Sequence, residues 1–132
     1  MNTLMLSEAR EAAQAVAHQL AHNDKEYCDF GALLRTQNPT AVLTVARGSS
    51  DHAAHFLAYL VMARMGRLVT SLPMSLVTLY QSQIACKGLV SLAFSQSGQS
   101  PDLVAPTRYF TEGGAITAAF VNKEDSPLAR AA

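Results

Sequence analysis

The chain has 132 residues, 49% hydrophobic and 15% charged, which suits one domain able to bury about two-thirds of its unfolded surface without disulfides or metals. Ten basic residues balance ten acidic ones, so no global field favours nucleic acid, an acidic partner or a membrane. Cys28 and Cys86 lack metal or redox spacing, the longest wholly apolar run is only Phe56 to Ala63, and Met1 to Ala9 has no leader pattern; the expectation is a soluble cytoplasmic protein with reduced thiols and no membrane span.

Ser7 to His22 carries apolar residues at Ala9, Ala12, Ala13, Val16, Ala17 and Leu20, the spacing of one helical face, with Ser7 as its expected cap. His18 and His22 lie four apart, but Gln19 stands where a zinc-protease helix needs a glutamate base, and no third ligand is evident. No metal is expected. A second helical piece runs from about Asp24 to Arg35, and Asn38-Pro39 breaks it because the residue before proline avoids the α region. Residues 1–38 therefore read as an N-terminal helical segment.

Ala41 to Ala46 reads as the first buried strand. It enters the turn Arg47-Gly48-Ser49-Ser50-Asp51-His52, and a helix follows over Ala53 to Arg64. Leu68 to Leu72 is a second strand, stopped by Pro73, and Ser75 to Ser82 is a helical connector. Leu89 to Phe94 is the third strand. It leads into Ser95-Gln96-Ser97-Gly98-Gln99-Ser100-Pro101-Asp102, where Ser100 suits the N-cap, Pro101 the first helical position and Asp102 the positive end of the helix dipole. The helix then runs to Thr111, and Glu112-Gly113-Gly114 stops it. A fourth strand spans Ala115 to Val121, and Pro127 opens what reads as another helix start.

A hydroxyl-rich, glycine-broken loop between a strand end and a helix N-terminus collects free N–H groups and partial positive charge, which suits a phosphate. A capped turn with no ligand accounts for the same residues. A nucleophile elbow does not, since Ser95 and Gln99 stand where that motif has glycines, and no Gly-Lys-Ser/Thr group follows Gly98 as in a P-loop. The loop reads as a cradle of hydroxyls and amides without lysine.

Strands alternating with helices predict an α/β fold, a three-layer sandwich around a parallel, flavodoxin-like (Rossmann-like) sheet. In the order 2-1-3-4 the first and third strands are neighbours, and a crevice opens above their carboxyl ends. The turns at Gly48 and Gly98 flank it.

Three segments, Arg47 to Ala54, Ser95 to Asp102 and Asn122 to Ala129, together resemble the sugar isomerase (SIS) domain family, as found in glucosamine–fructose-6-phosphate aminotransferase isomerase domains and the second type of glucosamine-6-phosphate deaminase. The resemblance covers nearly the whole chain. It implies a phosphosugar-binding domain over residues 1–132, with Ser95, Gln96, Ser97, Gly98 and Ser100 on the phosphate and Gly48, Ser49 and Ser50 on the sugar side. Arg47 and Gln99 depart from the synthase pattern and tilt the chain toward the deaminase branch. The resemblance also implies that the chain stops before a fifth strand, and that the family's acid–base glutamate, lysine and ring-opening histidine lie outside it, so no catalytic residue is assigned.

Several roles stay open on these residues. Arg47 suits either a phosphate or a carboxylate such as Asp51, and His52 and His55 suit either proton transfer or an ordinary helix surface. The chain reads as a sugar-phosphate-binding domain of the isomerase, aminotransferase or deaminase type, as a non-catalytic sensing or dimerisation module, or as an inactive truncated product. No cofactor is expected. A homodimer is expected, through the sheet edge beside the fourth strand and through the first helix, together with weak sugar-phosphate binding and no turnover.

Overall fold

The structure is a computed structural model and describes residues 3–132. The chain divides into two compact units, Met1–Asn38 and Pro39–Ala132.

In the first unit, helix α1 spans Leu4–His22. Thr3 is in extended conformation and its hydroxyl accepts the Leu6 N–H at 3.3 Å, so Thr3 is the cap. Ser7, the expected cap, lies inside the helix and donates to Glu11 Oε1 at 2.9 Å. Helix α2 (Asp24–Gln37) has Asp24 and Glu26 in its first turn and Arg35 in its last, each matched to the helix dipole, and it closes on Asn38 in the left-handed region at φ 46°. The Gln19 amide donates to the Tyr27 hydroxyl at 2.6 Å, linking the two helices. His18 and His22 stack on one another at 3.7 Å. Among the described residues, no group of three or more His, Cys, Asp or Glu could hold a metal ion, and no helix is long and apolar enough to cross a membrane.

The second unit is a four-stranded, all-parallel sheet in the order β2-β1-β3-β4. Its strands are β1 (Ala41–Ala46), β2 (Leu68–Ser71), β3 (Leu89–Ser95) and β4 (Ile116–Val121). Helix α3 (Ser49–Met65) joins β1 to β2, and α5 (Pro101–Glu112) joins β3 to β4. The first connection steps one way along the sheet and the second the other, so right-handed crossovers put α3 and α5 on opposite faces. That is the three-layer arrangement. The central strands β1 and β3 are buried almost throughout, whereas β2 is largely exposed and β4 half-buried along its length. This is why the central strands read as unbroken apolar runs. One core gathers Val45, Ala93, Leu103, Phe110 and Leu128.

Between β2 and β3, α4 is a single turn, Ser75–Thr78, shorter than the Ser75-to-Ser82 connector expected. Gln81 sits at φ 49°, a conformation that cannot continue a right-handed helix. The rest of the connector is pinned from α5. The Tyr109 hydroxyl accepts the Ile84 N–H at 2.8 Å and lies within 3.3 Å of the Ser82 and Ile84 carbonyls. Cys86 is buried against Gly113, and burial pushes its thiol pKa up.

Candidate functional site

The strand pairing sets Ala46, at the end of β1, beside Phe94 in β3. The two hydroxyl-rich turns therefore leave the sheet side by side, at the point where the strand order reverses. Each turn opens a helix. The first does so sooner than expected: Gly48, at φ 59° and ψ −135°, is the N-cap, and Ser49, Ser50, Asp51 and His52 already belong to α3. Glycine is needed because this conformation is close to closed to residues with a side chain. Ser49 is exposed and Ser50 half-buried in the first helical turn, where unpaired N–H groups and the positive dipole end are found.

The second turn is the more built of the two. Ser95 is buried and its hydroxyl accepts the Gly98 N–H at 3.1 Å, while Ser97 Oγ accepts the Gln99 N–H at 3.3 Å. These bonds curl residues 95–99 into a tight loop, with Gln96 and Ser97 exposed at its rim. Ser100 occupies the N-cap position of α5, and its main-chain carbonyl receives the Leu103 and Val104 N–H groups. Its side chain makes no capping hydrogen bond.

A third segment closes over this loop from behind. The Asn122 N–H donates to the Gln96 carbonyl at 3.3 Å and the Leu128 N–H to the Gly98 carbonyl at 3.1 Å. Gly98 is at φ 64°, and a Cβ there would meet the Ser126 Cβ at 2.5 Å. Ser126 is itself fully buried and caps the 3₁₀ turn Ala129–Ala131 by accepting the Ala129 N–H at 3.2 Å. All three quoted segments thus touch one structure, or adjoin it. The Asn122-to-Ala129 segment buttresses the loop through these contacts.

Charge at the site comes from Arg47, Asp51 and Asp102, all within the two quoted turns. Arg47 Nε lies 2.5 Å from Asp102 Oδ2, so the guanidinium spans from the β1 turn to the first turn of α5. Its partner is Asp102, not Asp51. Both side chains keep solvent contact, which makes the pair a weak contributor to stability, about 0–1 kcal/mol, but it ties the two turns together. Asp51 behaves differently. One of its carboxylate oxygens, Oδ1, is buried with no hydrogen-bond partner, and His55 Nδ1 lies 2.8 Å from the Asp51 main-chain carbonyl and 3.7 Å from Oδ2. His52 is exposed on the same helical turn.

The family model of the SIS domain matches residues 35–132. The chain aligns with the crystal structure of a presumed phosphosugar isomerase from Silicibacter pomeroyi DSS-3 at 39% identity and a TM-score of 0.88, covering 92% of this chain and 37% of that one. The C-terminal domain of glucosamine-fructose-6-phosphate aminotransferase from Francisella tularensis shares the fold at 20% identity and a TM-score of 0.66, with 79% of this chain and 29% of that one covered. So does the Vibrio vulnificus NanR protein, solved with ManNAc-6P, at 17% identity and a TM-score of 0.63, covering 98% of this chain and 51% of that one. In each case the chain spans little more than half, or less, of the other protein's length. A comparison with curated proteins found no match.

Proposed function

Because the chain belongs to the SIS domain family, we propose that its α/β unit binds a sugar phosphate in the crevice between the Gly48 and Gly98 turns. The observation that carries the reading is the adjacency of two hydroxyl-rich helix starts at the reversal of strand order, bridged by Arg47 and Asp102. In this reading Ser97, Gln96, Ser100 and the main-chain N–H groups of the Ser95–Gly98 loop hold the phosphate. Ser49, Ser50 and the Gly48 main chain face the sugar.

The substrate class proposed is a hexosamine 6-phosphate or fructose 6-phosphate, in chemistry of the isomerase, aminotransferase or deaminase type. Such chemistry opens the sugar and moves a proton between adjacent carbons. The Ser95 hydroxyl acts here by shaping the loop, since it is buried beneath it and accepts the Gly98 N–H, whereas Ser97 is exposed at the rim with its hydroxyl proton free to donate. Arg47 is engaged by Asp102 and serves the phosphate only in competition with that carboxylate. The chain is further proposed to act as a homodimer.

Calorimetric titration with glucosamine 6-phosphate and fructose 6-phosphate tests the site. A hydrogen bond to a charged phosphate contributes about 1.5–3 kcal/mol, so Ser97→Ala is expected to weaken binding roughly tenfold. Asp102→Asn is expected to strengthen it, because it removes a negative charge beside the phosphate and releases Arg47. Equal affinity in wild type, Ser97→Ala and Asp102→Asn would move the ligand away from these turns. Release of ammonia, or interconversion of the two sugars, reports whether the chain carries chemistry as well as binding.

A further inference from the structure

The loop after β3 has two faces, and the segment after β4 holds one of them. The Gln96 carbonyl accepts the Asn122 N–H at 3.3 Å and the Gly98 carbonyl accepts the Leu128 N–H at 3.1 Å, so both carbonyls point at the 122–128 segment. No peptide bond among the described residues is cis, and across a trans peptide the N–H points opposite to the C=O. The Ser97 and Gln99 N–H groups are therefore turned away from the segment, to the side of the loop where Gln96, Ser97 and Gln99 are exposed. A carbonyl that accepts a hydrogen bond also polarises its own amide, which makes that N–H a better donor. We propose that residues 122–131 act as a clamp on the phosphate site, with Ser126 as its positioning residue: the clamp holds the loop in the form that presents these N–H groups, and phosphate binding and docking of the clamp strengthen one another. This rests on the phosphosugar reading and adds to it the part of the chain that regulates the site.

The way the segment is anchored makes it a clamp and not merely a neighbour. Asn122 to Asp125 and Arg130 are exposed, and the hold on the domain falls to Ser126, Leu128 and Ala131, all buried. Ser126 sits so close behind Gly98 that no Cβ fits between them, so the position of the glycine follows that of the serine. Its hydroxyl also accepts the Ala129 N–H, which ties the contact at Gly98 to the 3₁₀ turn beyond it. Leu128 enters the core shared with Leu103 and Phe110 of α5. At the far end the Thr111 hydroxyl lies 2.7 Å from the Ala131 carbonyl, in the last turn of α5 and about 15 Å along that helix from Pro101. Lifting the segment would therefore free the Gln96 and Gly98 carbonyls and remove the backing of Gly98 in a single movement. A ligand that favours the held loop must favour the docked segment by the same factor.

Amide exchange of the full chain with and without saturating glucosamine 6-phosphate tests the clamp. The ligand is expected to slow exchange at Leu128 and Ala131 roughly tenfold, and to slow it less at Ile84, whose N–H is held by the Tyr109 hydroxyl in the connector. Ser126→Gly withdraws the side chain behind Gly98 and leaves the Ala129 N–H uncapped. It is expected to weaken binding of the same ligand roughly tenfold by calorimetry and to remove most of the slowing at Leu128. Tyr109→Phe, which loosens the connector instead, is expected to leave the affinity unchanged. A wild type that binds the ligand with equal slowing at Leu128 and Ile84, or with none at Leu128, overturns the proposal and leaves the phosphosugar reading standing. So does unchanged affinity in Ser126→Gly, or an equal loss in Tyr109→Phe, which would ascribe the effect to stability alone. A wild type that binds no sugar phosphate overturns both.

Discussion

Gly98 and Gly48 both hold positive φ angles at the mouths of the crevice, yet their surroundings differ. A side chain at Gly48 would meet nothing within 4 Å, whereas one at Gly98 would run into the buried Ser126. Gly48→Ala therefore adds only backbone strain, about 1–3 kcal/mol. Gly98→Ala adds a core collision to the strain of a left-handed residue, for about 2–5 kcal/mol in all. Urea denaturation of the two variants is expected to rank them in that order, and Gly98→Ala is also expected to lose sugar-phosphate affinity because the loop must shift off Ser126. Equal destabilisation would mean that the 122–128 segment gives way easily. The importance of Gly98 was legible in the sequence as a glycine in a hydroxyl-rich turn. Its partner was not, because Ser126 lies 28 positions further on and only the folded chain brings the two into contact.

At the scale of elements, the strands were legible to within about one residue, because continuous apolar runs bounded by turn residues are what fully buried parallel strands require. Helix starts were read less well. Helix α3 begins at Ser49, four residues before the expected Ala53, because the turn is completed by Gly48 alone and leaves the serines free to enter the helix. Helix α5 matched its signals, with Pro101 at its first position, but Ser100 caps it through main chain only. The long connector between β2 and β3 has little regular structure of its own and is held by the Tyr109 hydroxyl. Tyr109→Phe leaves the Ile84 N–H without its partner, and about 1–3 kcal/mol of stability is expected to go with it. Amide exchange at Ile84 should quicken more than exchange in β1. Uniform quickening would show that the connector and sheet open as one.

At the scale of the molecule, the division at Asn38 separates two helices with no buried residue from an α/β unit that contains every fully buried large side chain among the described residues. Stability at this scale comes from burial. A fragment of residues 39–132 is therefore expected to unfold in one cooperative urea transition and to keep sugar-phosphate affinity within a few-fold of the whole chain. A fragment that is unfolded, or that melts without cooperativity, would show that residues 1–38 complete the core.

The alternation of strands and helices, the parallel sheet that alternation imposes, and the two turns that its order brings together can all be read along the chain. These follow from local patterns and from the handedness of crossovers, and both are written in short stretches of chain. It took the folded chain to pair Arg47 with Asp102, to back Gly98 with Ser126, to bury an Asp51 oxygen without a partner, and to leave Phe56 and Tyr59 of α3 exposed. Each of these depends on which distant residues come within a few ångströms of one another. Periodicity and turn chemistry carry no information about that.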